Sequence, residues 1–297
     1  MKLTNKHGIP ETFVNVIRRP TYSKGKAHRS VTQLINSPKI VALTERFQDE
    51  IESDVADMVW SLFGSAVHKV LEHGKDDTHV IEERLSAVVD GWTISGAIDL
   101  QIKREGGVSI RDYKTCSSWA VMNDKIEWEQ QLNLYAWLVE KVKGVQVLDI
   151  GIVAIIRDWS RREAERKEDY PPAPIKELPI RLWPFEEREA FVAERIHKHA
   201  EADFALEAEQ LLPPCTSEEM WEKPTVWAVM KKGGVRAKAL FGDELSAISE
   251  ATRLGGEYEV QTRHGERTRC ANFCQVNTWC AQWRDYQDGV QFDKEQA

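Results

Sequence analysis

The spacing of apolar residues changes several times along the chain, and each change predicts a different kind of element. Residues 31–49 and 54–73 repeat apolar side chains at helical intervals. Residues 79–114 alternate as three short strands, separated by the turn signals DG and EGG. Residues 127–143 return to helical spacing, and the apolar run 146–159 is typical of a central strand. The first half of the chain is therefore predicted to combine helices with a sheet.

The second half is more polar. A charged, proline-bearing connection over residues 160–180 precedes a helix predicted at 186–212. The order of elements predicts an α/β fold with a mixed central sheet flanked by helices, followed by a helical, cysteine-bearing C-terminal extension. The predicted organisation is an N-terminal extension (1–30), a core (31–160), a connecting helical segment (161–212) and a cysteine region packing on the core (213–297).

Composition and charge limit the classes of protein that fit. The 297 residues are 42% hydrophobic, no apolar run suits a membrane span, and the N-terminus lacks a secretory signal, so a cytoplasmic protein is expected. The net charge of −8 argues against a protein that coats nucleic acid, but not against an enzyme with a local basic groove. We interpret the basic stretches 18–29 and 231–238 as solvated loops rather than phosphate contacts.

The predicted hairpin carries charges where its buried face should be. Asp112 and Lys114 are two residues apart and share one face of a strand, and the turn at 105–107 folds Asp99 back beside Asp112. Converging carboxylates repel each other unless a cation lies between them, and Mg²⁺ or Mn²⁺ prefers oxygen ligands. A D-x-K tripeptide alone is more often a surface ion pair on an edge strand, so the surrounding sequence must decide.

Two residue pairs on the neighbouring helices complete a pattern. Gly64 and His68 are four apart on one helix, and the glycine leaves a gap beside the imidazole. Gln131 and Tyr135 are four apart on the other. Each pair alone is typical of an ordinary helix. In order, the chain reads G-x-x-x-H, G-x-x-D, D-Y-K-T and Q-x-x-x-Y at 64–68, 96–99, 112–115 and 131–135.

Together these motifs resemble the RecB-like branch of the PD-(D/E)XK nucleases, which includes the AddB nuclease domain, CRISPR-associated RecB-like nucleases and phage exonucleases. The resemblance spans roughly residues 30–160 and implies a restriction-endonuclease-like core that hydrolyses phosphodiester bonds with Mg²⁺ or Mn²⁺. It implies Lys114 as the catalytic lysine and a further glutamate, either Glu82 or Glu83. The implied metal ligands are His68, Asp99, Asp112 and the Tyr113 main-chain carbonyl, and the implied positioning residues are Gln131 and Tyr135.

The C-terminal region gathers cysteines. Three of them, Cys270, Cys274 and Cys280, lie within eleven residues, which in a reducing compartment indicates metal ligands. Iron–sulfur members of the branch carry a further cysteine upstream of G-x-x-x-H, where this chain has Ser37, so Cys215 is the expected replacement. Cys116 is expected in the core. The resemblance favours a four-iron, four-sulfur (4Fe–4S) cluster, and Zn²⁺ remains a chemically sound alternative.

The predicted function is a metal-dependent deoxyribonuclease, and the resemblance implies exonuclease action in recombination, repair or replication. Two alternatives remain: a CRISPR-associated nuclease that trims DNA, and a non-catalytic DNA-binding subunit with a degenerate nuclease fold. DNA, as an end or a single strand, is the expected partner, and the resemblance also implies a recombination or helicase protein as a second partner. A bacterial cell or a phage is the expected source, and the oligomeric state is open.

Overall fold

The chain folds into the helices and strands of a computed structural model that describes residues 2–19, 25–74 and 76–296, with side chains described to residue 289. Part of the basic stretch 18–29 lies outside the described residues. The helices are α1 (Glu11–Ile17), α2 (Val31–Ile35), α3 (Pro38–Arg46), α4 (Val55–Leu71), α5 (Ser118–Met122), α6 (Ile126–Lys143), α7 (Arg161–Arg166), α8 (Phe185–Glu207), α9 (Glu244–Leu254), α10 (Thr268–Asn272) and α11 (Ala281–Gln296). The strands are β1 (Lys2–Thr4), β2 (Arg29–Ser30), β3 (Glu52–Asp54), β4 (His79–Val89), β5 (Trp92–Arg104), β6 (Gly107–Cys116), β7 (Val147–Ile156), β8 (Ile175–Ile180), β9 (Glu222–Lys223), β10 (Val226–Lys231), β11 (Ala237–Phe241), β12 (Tyr258–Arg263) and β13 (Glu266–Arg267).

The central sheet is mixed, which confirms the predicted fold class. Strands β5, β6, β7 and β8 lie side by side in that order, and both β2 and β4 pair with β5. The β4–β5, β5–β6 and β7–β8 pairs are antiparallel, whereas β6–β7 and β2–β5 are parallel. The sequence did not predict β8, because this edge strand is half polar and contains Pro179, which an edge tolerates.

One helix fills the centre of the core. Every residue of α6 from Gln131 to Val139 is buried, so this helix is enclosed on all sides rather than along one stripe. It packs against β4 and β7 and against α2 and α8. The helix predicted over 31–49 is divided into α2 and α3, because Pro38 begins α3 and disfavours helical geometry at the preceding residue.

The C-terminal region contains strands as well as helices. Strands β11, β10 and β12 form an antiparallel sheet that packs on α9 around Val229, while β9 and β13 form a short pair. The cysteine-bearing segment packs instead on α3, where Leu43 meets Val276 and Cys280. Within the described ranges, no helix has both the length and the apolar composition needed to cross a bilayer.

A buried histidine links α8 to the segment before α3. His199 is fully buried; its Nε2 lies 3.1 Å from the Leu34 carbonyl, and Arg29 donates to its Nδ1 at 3.4 Å. Burial lowers the pKa of His199 to about 4, and the charges of Arg195 and Arg29 act in the same direction. The folded state therefore holds this imidazole neutral. The carboxylates around this cluster are Glu45 and Asp203, both paired with Arg29.

We expect His199 to make the protein sensitive to acid. An unfolded histidine takes up a proton near pH 6.5, whereas folded His199 does so only near pH 4, so the free energy of unfolding falls as the pH drops through this window. The contribution is about 3 kcal/mol when complete. Urea unfolding of His199→Gln at pH 7.5 and pH 5 should show a smaller pH dependence than the wild type. The exposed His197→Gln variant on the same helix is the control, and equal slopes for all three proteins would contradict this prediction.

Candidate active site

The first component of the site is His68, which α4 brings to β6. Asp54 caps the helix by accepting from the Ala56 amide at 3.0 Å. A Cβ at Gly64 would lie 3.3 Å from Oγ1 of Thr115, so the glycine lets α4 lie close to the end of β6. Nε2 of His68 then lies 3.0 Å from the Tyr113 carbonyl oxygen. The gap predicted beside the imidazole is therefore occupied by the neighbouring strand.

The two aspartates converge where β5 and β6 separate. Leu100 pairs with Arg111 at the end of the β5–β6 ladder, and the next residues on the two strands are Asp99 and Asp112. The Tyr113 amide, released from the ladder, donates to Oδ2 of Asp99 at 2.8 Å. Both aspartates are buried, with Asp112 only 2% exposed. The separation of the strands thus creates a polar recess that both carboxylates face.

Of the two glutamates, Glu82 rather than Glu83 lies beside His68. On β4, Ile81 pairs with Leu100 and Glu83 with Ile98, so the register is kept across Glu82 while its own pairing with β5 is interrupted. Its φ of 50° is in the left-handed region, which a non-glycine residue rarely adopts. The carboxylate of Glu82 lies within 3.5 Å of Nδ1 of His68. Glu83 instead forms an ion pair with Lys143 at 2.6 Å.

These groups fit a divalent cation. One ligand atom from each of His68, Glu82 and Asp99 lies within 4.8 Å of the others. Asp112 is buried as well, and its Oδ2 lies 2.6 Å from Lys114 Nζ. Buried carboxylates that converge repel each other, and a divalent cation with oxygen ligands resolves this repulsion. The Tyr113 carbonyl is placed against the imidazole, and its role as a ligand remains a prediction.

The electrostatics of the recess agree with this fit. Burial, followed by the charge of Asp112, raises the pKa of Asp99 to about 7. The carboxylate of Glu82, reinforced by Asp99, raises the pKa of His68 to about 9. Without a cation, protons therefore balance the negative charge at neutral pH. Metal ligands must be deprotonated, so a bound cation would displace these protons.

A hydrogen-bond network fixes the lysine beside the aspartate. Gln131 accepts from Lys114 Nζ at 3.1 Å, and its Nε2 lies 3.1 Å from Asp112 Oδ1 and 2.8 Å from the Tyr135 hydroxyl. Gly96 on β5 makes room for this helix, because a Cβ there would lie 2.8 Å from Cε1 of Tyr135. The structure thus brings the two residues of Q-x-x-x-Y to the D-x-K strand. Their catalytic roles remain predictions.

The four cysteines expected to bind metal line one cavity, together with apolar residues of α3 and the C-terminal segment. Cys215 is tied to this region by Gln282, whose side chain accepts from the Cys215 amide at 2.8 Å and donates to its carbonyl at 3.0 Å. Ser37 Oγ lies 3.2 Å from Cys215 Sγ. Cys215 is therefore next to the position from which the upstream cysteine is missing, while Cys116 packs in the main core.

Burial has a clear effect on these thiols. Burial, with smaller effects from the other thiols, raises the pKa of Cys270 to about 11, and burial also raises the pKa of Cys215 and Cys274. In the absence of a metal, Cys215, Cys270 and Cys274 are therefore protonated at neutral pH. No three of the four sulfur atoms in the described chain lie within 4.8 Å of one another. The four sulfur atoms are thus more widely spaced than the ligand atoms of His68, Glu82 and Asp99.

The neighbouring glutamates of β4 give a paired test of the role of Glu82. Glu82→Gly should relieve the left-handed strain and remove the carboxylate beside His68, so we expect unchanged or higher thermal stability and weaker Mn²⁺ binding. Glu83→Gly should lose the ion pair with Lys143 and introduce flexibility into a regular strand, so stability should fall and Mn²⁺ binding persist. Melting curves and Mn²⁺ titration calorimetry measure both. If the two variants changed the melting temperature and the Mn²⁺ affinity in the same way, the assignment of Glu82 would be contradicted.

Comparison with known proteins places the chain in a family. The family model of the PD-(D/E)XK nuclease superfamily matches residues 75–281, which is more than half of the chain. A solved structure titled Crystal structure of SSO0001 is similar over 63% of this chain and 82% of that chain, with 16% sequence identity and a TM-score of 0.42. No curated protein matches the sequence. On the family match, the chain belongs to the PD-(D/E)XK nuclease superfamily.

Proposed function

We propose that the protein is a deoxyribonuclease that depends on Mg²⁺ or Mn²⁺ and acts as an exonuclease. The observation that carries this proposal is the convergence of Asp99 and Asp112 where β5 and β6 separate, with Lys114 on the same strand face as Asp112. Membership of the nuclease superfamily supports hydrolysis of phosphodiester bonds. Exonuclease action, the RecB-like branch and a role in recombination, repair or replication rest on the four-motif resemblance.

Each residue of the recess has a distinct proposed role. His68, Glu82, Asp99 and Asp112 would hold the cation, which when bound neutralises phosphate charge and acidifies a water molecule. The ammonium of Lys114 is held between Asp112 and Gln131, so it presents a positive charge to a phosphate oxygen that enters the recess. Gln131 orients both the lysine and the aspartate, and Tyr135 anchors Gln131.

Cleavage of end-labelled linear DNA, with covalently closed circular DNA as the comparison, tests this function. The purified protein with Mg²⁺ or Mn²⁺ should shorten linear DNA from an end and leave the circle intact, and chelation should stop the reaction. Cleavage of the circle would instead indicate an endonuclease. Absence of cleavage on single- and double-stranded substrates, with DNA binding retained, would favour the non-catalytic subunit and overturn the proposal.

We further propose that Cys215, Cys270, Cys274 and Cys280 hold a 4Fe–4S cluster that fixes the C-terminal segment to α3. Four cysteine thiolates fit either a tetrahedral zinc ion or a 4Fe–4S cluster, and the resemblance to the iron–sulfur members of the branch favours the cluster. The apolar packing of Leu43, Val276 and Cys280 supports a structural role, because it joins this region to α3.

A further inference from the structure

Two exposed tryptophans flank the end of β6, and each lies beside a cation. Trp60 on α4 is 55% exposed, with the Arg157 guanidinium 4.4 Å from its ring centroid. Trp119 on α5 is 57% exposed, with Lys125 Nζ 4.6 Å from its ring centroid. We call these four residues the tryptophan rim. An exposed tryptophan beside a cation offers a flat aromatic face on which a ligand can stack and a positive charge next to it.

The rim is attached directly to the candidate active site. Gly64 contacts Thr115 of β6, so Trp60, four residues earlier on the same helix face, lies beyond the end of that strand. The Arg157 amide donates to the Cys116 carbonyl at 3.0 Å, which places the first tryptophan–cation pair beside the last residue of β6. Trp119 follows three residues after Cys116.

A hydrogen bond joins the two halves of the rim. Asp158, next to Arg157, accepts from the amide of Ser118 at 2.6 Å and from its hydroxyl at 3.2 Å. Because Ser118 precedes Trp119, the two tryptophan–cation pairs are neighbours along one edge of the sheet. The carboxylate of Asp158 is directed to Ser118 and forms no ion pair with Arg157 in the described part of the chain.

The charges around the rim favour an anionic ligand on the side of Arg157. In the described part of the chain, neither Arg157 nor Lys125 forms an ion pair, and Arg161 and Arg162 begin α7 just after Arg157 without one. Trp119 and Lys125 also line an open groove that leads to Trp221 and carries the carboxylates Asp124, Glu127, Glu129 and Glu218. A phosphate chain is therefore expected to run from Trp119 towards Trp60 and Arg157 rather than along that acidic groove.

We propose that the tryptophan rim binds single-stranded DNA and delivers it to Asp112 and Lys114, an inference that rests on the proposed nuclease function. Bases stack on Trp60 and Trp119, while Arg157 and Lys125 contact phosphates. Eight residues of helix separate Trp60 from His68, or about 12 Å. That span matches about three to four nucleotides at the roughly 3.4 Å spacing of stacked bases. Duplex DNA keeps its base faces enclosed and cannot use this platform.

Binding without catalysis tests the rim independently of the nuclease assay. Fluorescence anisotropy of a labelled oligothymidylate, measured with the full chain in EDTA, should show binding that a duplex of equal length lacks. Trp60→Ala and Trp119→Ala should each weaken binding about tenfold, since loss of one stacked base has about that effect. Trp60→Phe and Trp119→Phe should restore most of it. Circular dichroism of each variant checks that the fold is kept.

The matched control is Trp221→Ala, because Trp221 is also exposed and also lies beside a cation, Arg269 at 5.6 Å. Its binding should equal that of the wild type. Equal affinity for duplex and single strand, or unchanged affinity in both rim alanine variants, would overturn the proposed binding at the rim. An equal loss of affinity in Trp221→Ala would also overturn it, because the strand would then bind in the acidic groove. Binding that depends on the rim, without any DNA cleavage, would overturn the proposed nuclease function and support the rim as a binding site.

Discussion

The isosteric variant Asp112→Asn is expected to lose DNA cleavage by about 10²- to 10³-fold or more while keeping its fold. Asp112 is buried, and its Oδ2 lies 2.6 Å from Lys114 Nζ, so its charge faces cations. Asparagine keeps the volume and the acceptor for Gln131, and it replaces the charged Oδ2 beside Lys114 by an amide nitrogen. Cleavage rates of linear DNA at saturating Mn²⁺ provide the measurement.

The same variant should have a nearly unchanged stability in the absence of metal. The charge of Asp112 helps to raise the pKa of Asp99, so removing it relieves a repulsion inside the recess, but it also removes the ion pair with Lys114. We expect a melting temperature in EDTA close to that of the wild type, because these two effects oppose each other. Mn²⁺ should raise the melting temperature of the wild type but not of the variant, because a bound ion stabilises only the state that binds it.

Two further substitutions separate a ligand from a catalytic group. Lys114→Met removes the ammonium and keeps the length of the side chain, so cleavage should be lost while the Mn²⁺-induced rise in melting temperature persists. Asp149→Asn, on β7 of the same sheet, removes a carboxylate bound to Ser109 and Arg111 and should retain cleavage. Full activity in purified Asp112→Asn, or an equal loss in Asp149→Asn, would show that the recess is not the active site.

The sequence predicted the elements around the site well, because their signals are local. Alternation and the EGG turn predicted a hairpin that folds Asp99 back towards Asp112, and the structure has this pairing. Helical spacing predicted α4 and α6, which carry His68 and Gln131. The contact between the Q-x-x-x-Y helix and the D-x-K strand could not be derived from local spacing, because it depends on the folded packing. Gly96 is needed only because Tyr135 of that helix packs against it.

The features that the sequence left open depend on geometry that strict periodicity does not describe. Glu82 and Glu83 are adjacent, and a regular strand gives no reason to choose between them. The left-handed backbone at Glu82, within an unshifted register, accompanies the placement of its carboxylate beside His68. Strand β8 was missed because an edge strand with a proline has a weak strand pattern. The contact between Cys215 and Ser37 joins residues far apart in sequence, which no local pattern contains.

Serine substitution in the cysteine cluster is the second change with a large expected effect. Cys274→Ser should remove a thiolate ligand, so bound metal should be lost, and the apolar contact between the C-terminal segment and α3 should weaken. We expect a lower melting temperature and proteolysis within residues 213–289, where the wild type is protected. Anaerobically purified wild type should absorb broadly in the near-visible range and contain iron and acid-labile sulfide, and the variant should not.

The control is Cys116→Ser, which changes a cysteine of the main core and leaves the cluster intact. It should keep the absorption and the iron content of the wild type. A colourless wild-type protein that contains zinc would contradict the iron–sulfur cluster and support the four cysteines as ligands. A wild-type protein without metal would contradict both the cluster and the ligand set. Because residues 99 and 112–114 lie on β5 and β6, and not on the cysteine region, Cys274→Ser should also retain Mn²⁺ binding at the recess. Loss of both metals together would mean instead that the cysteine region is required for the catalytic core to fold.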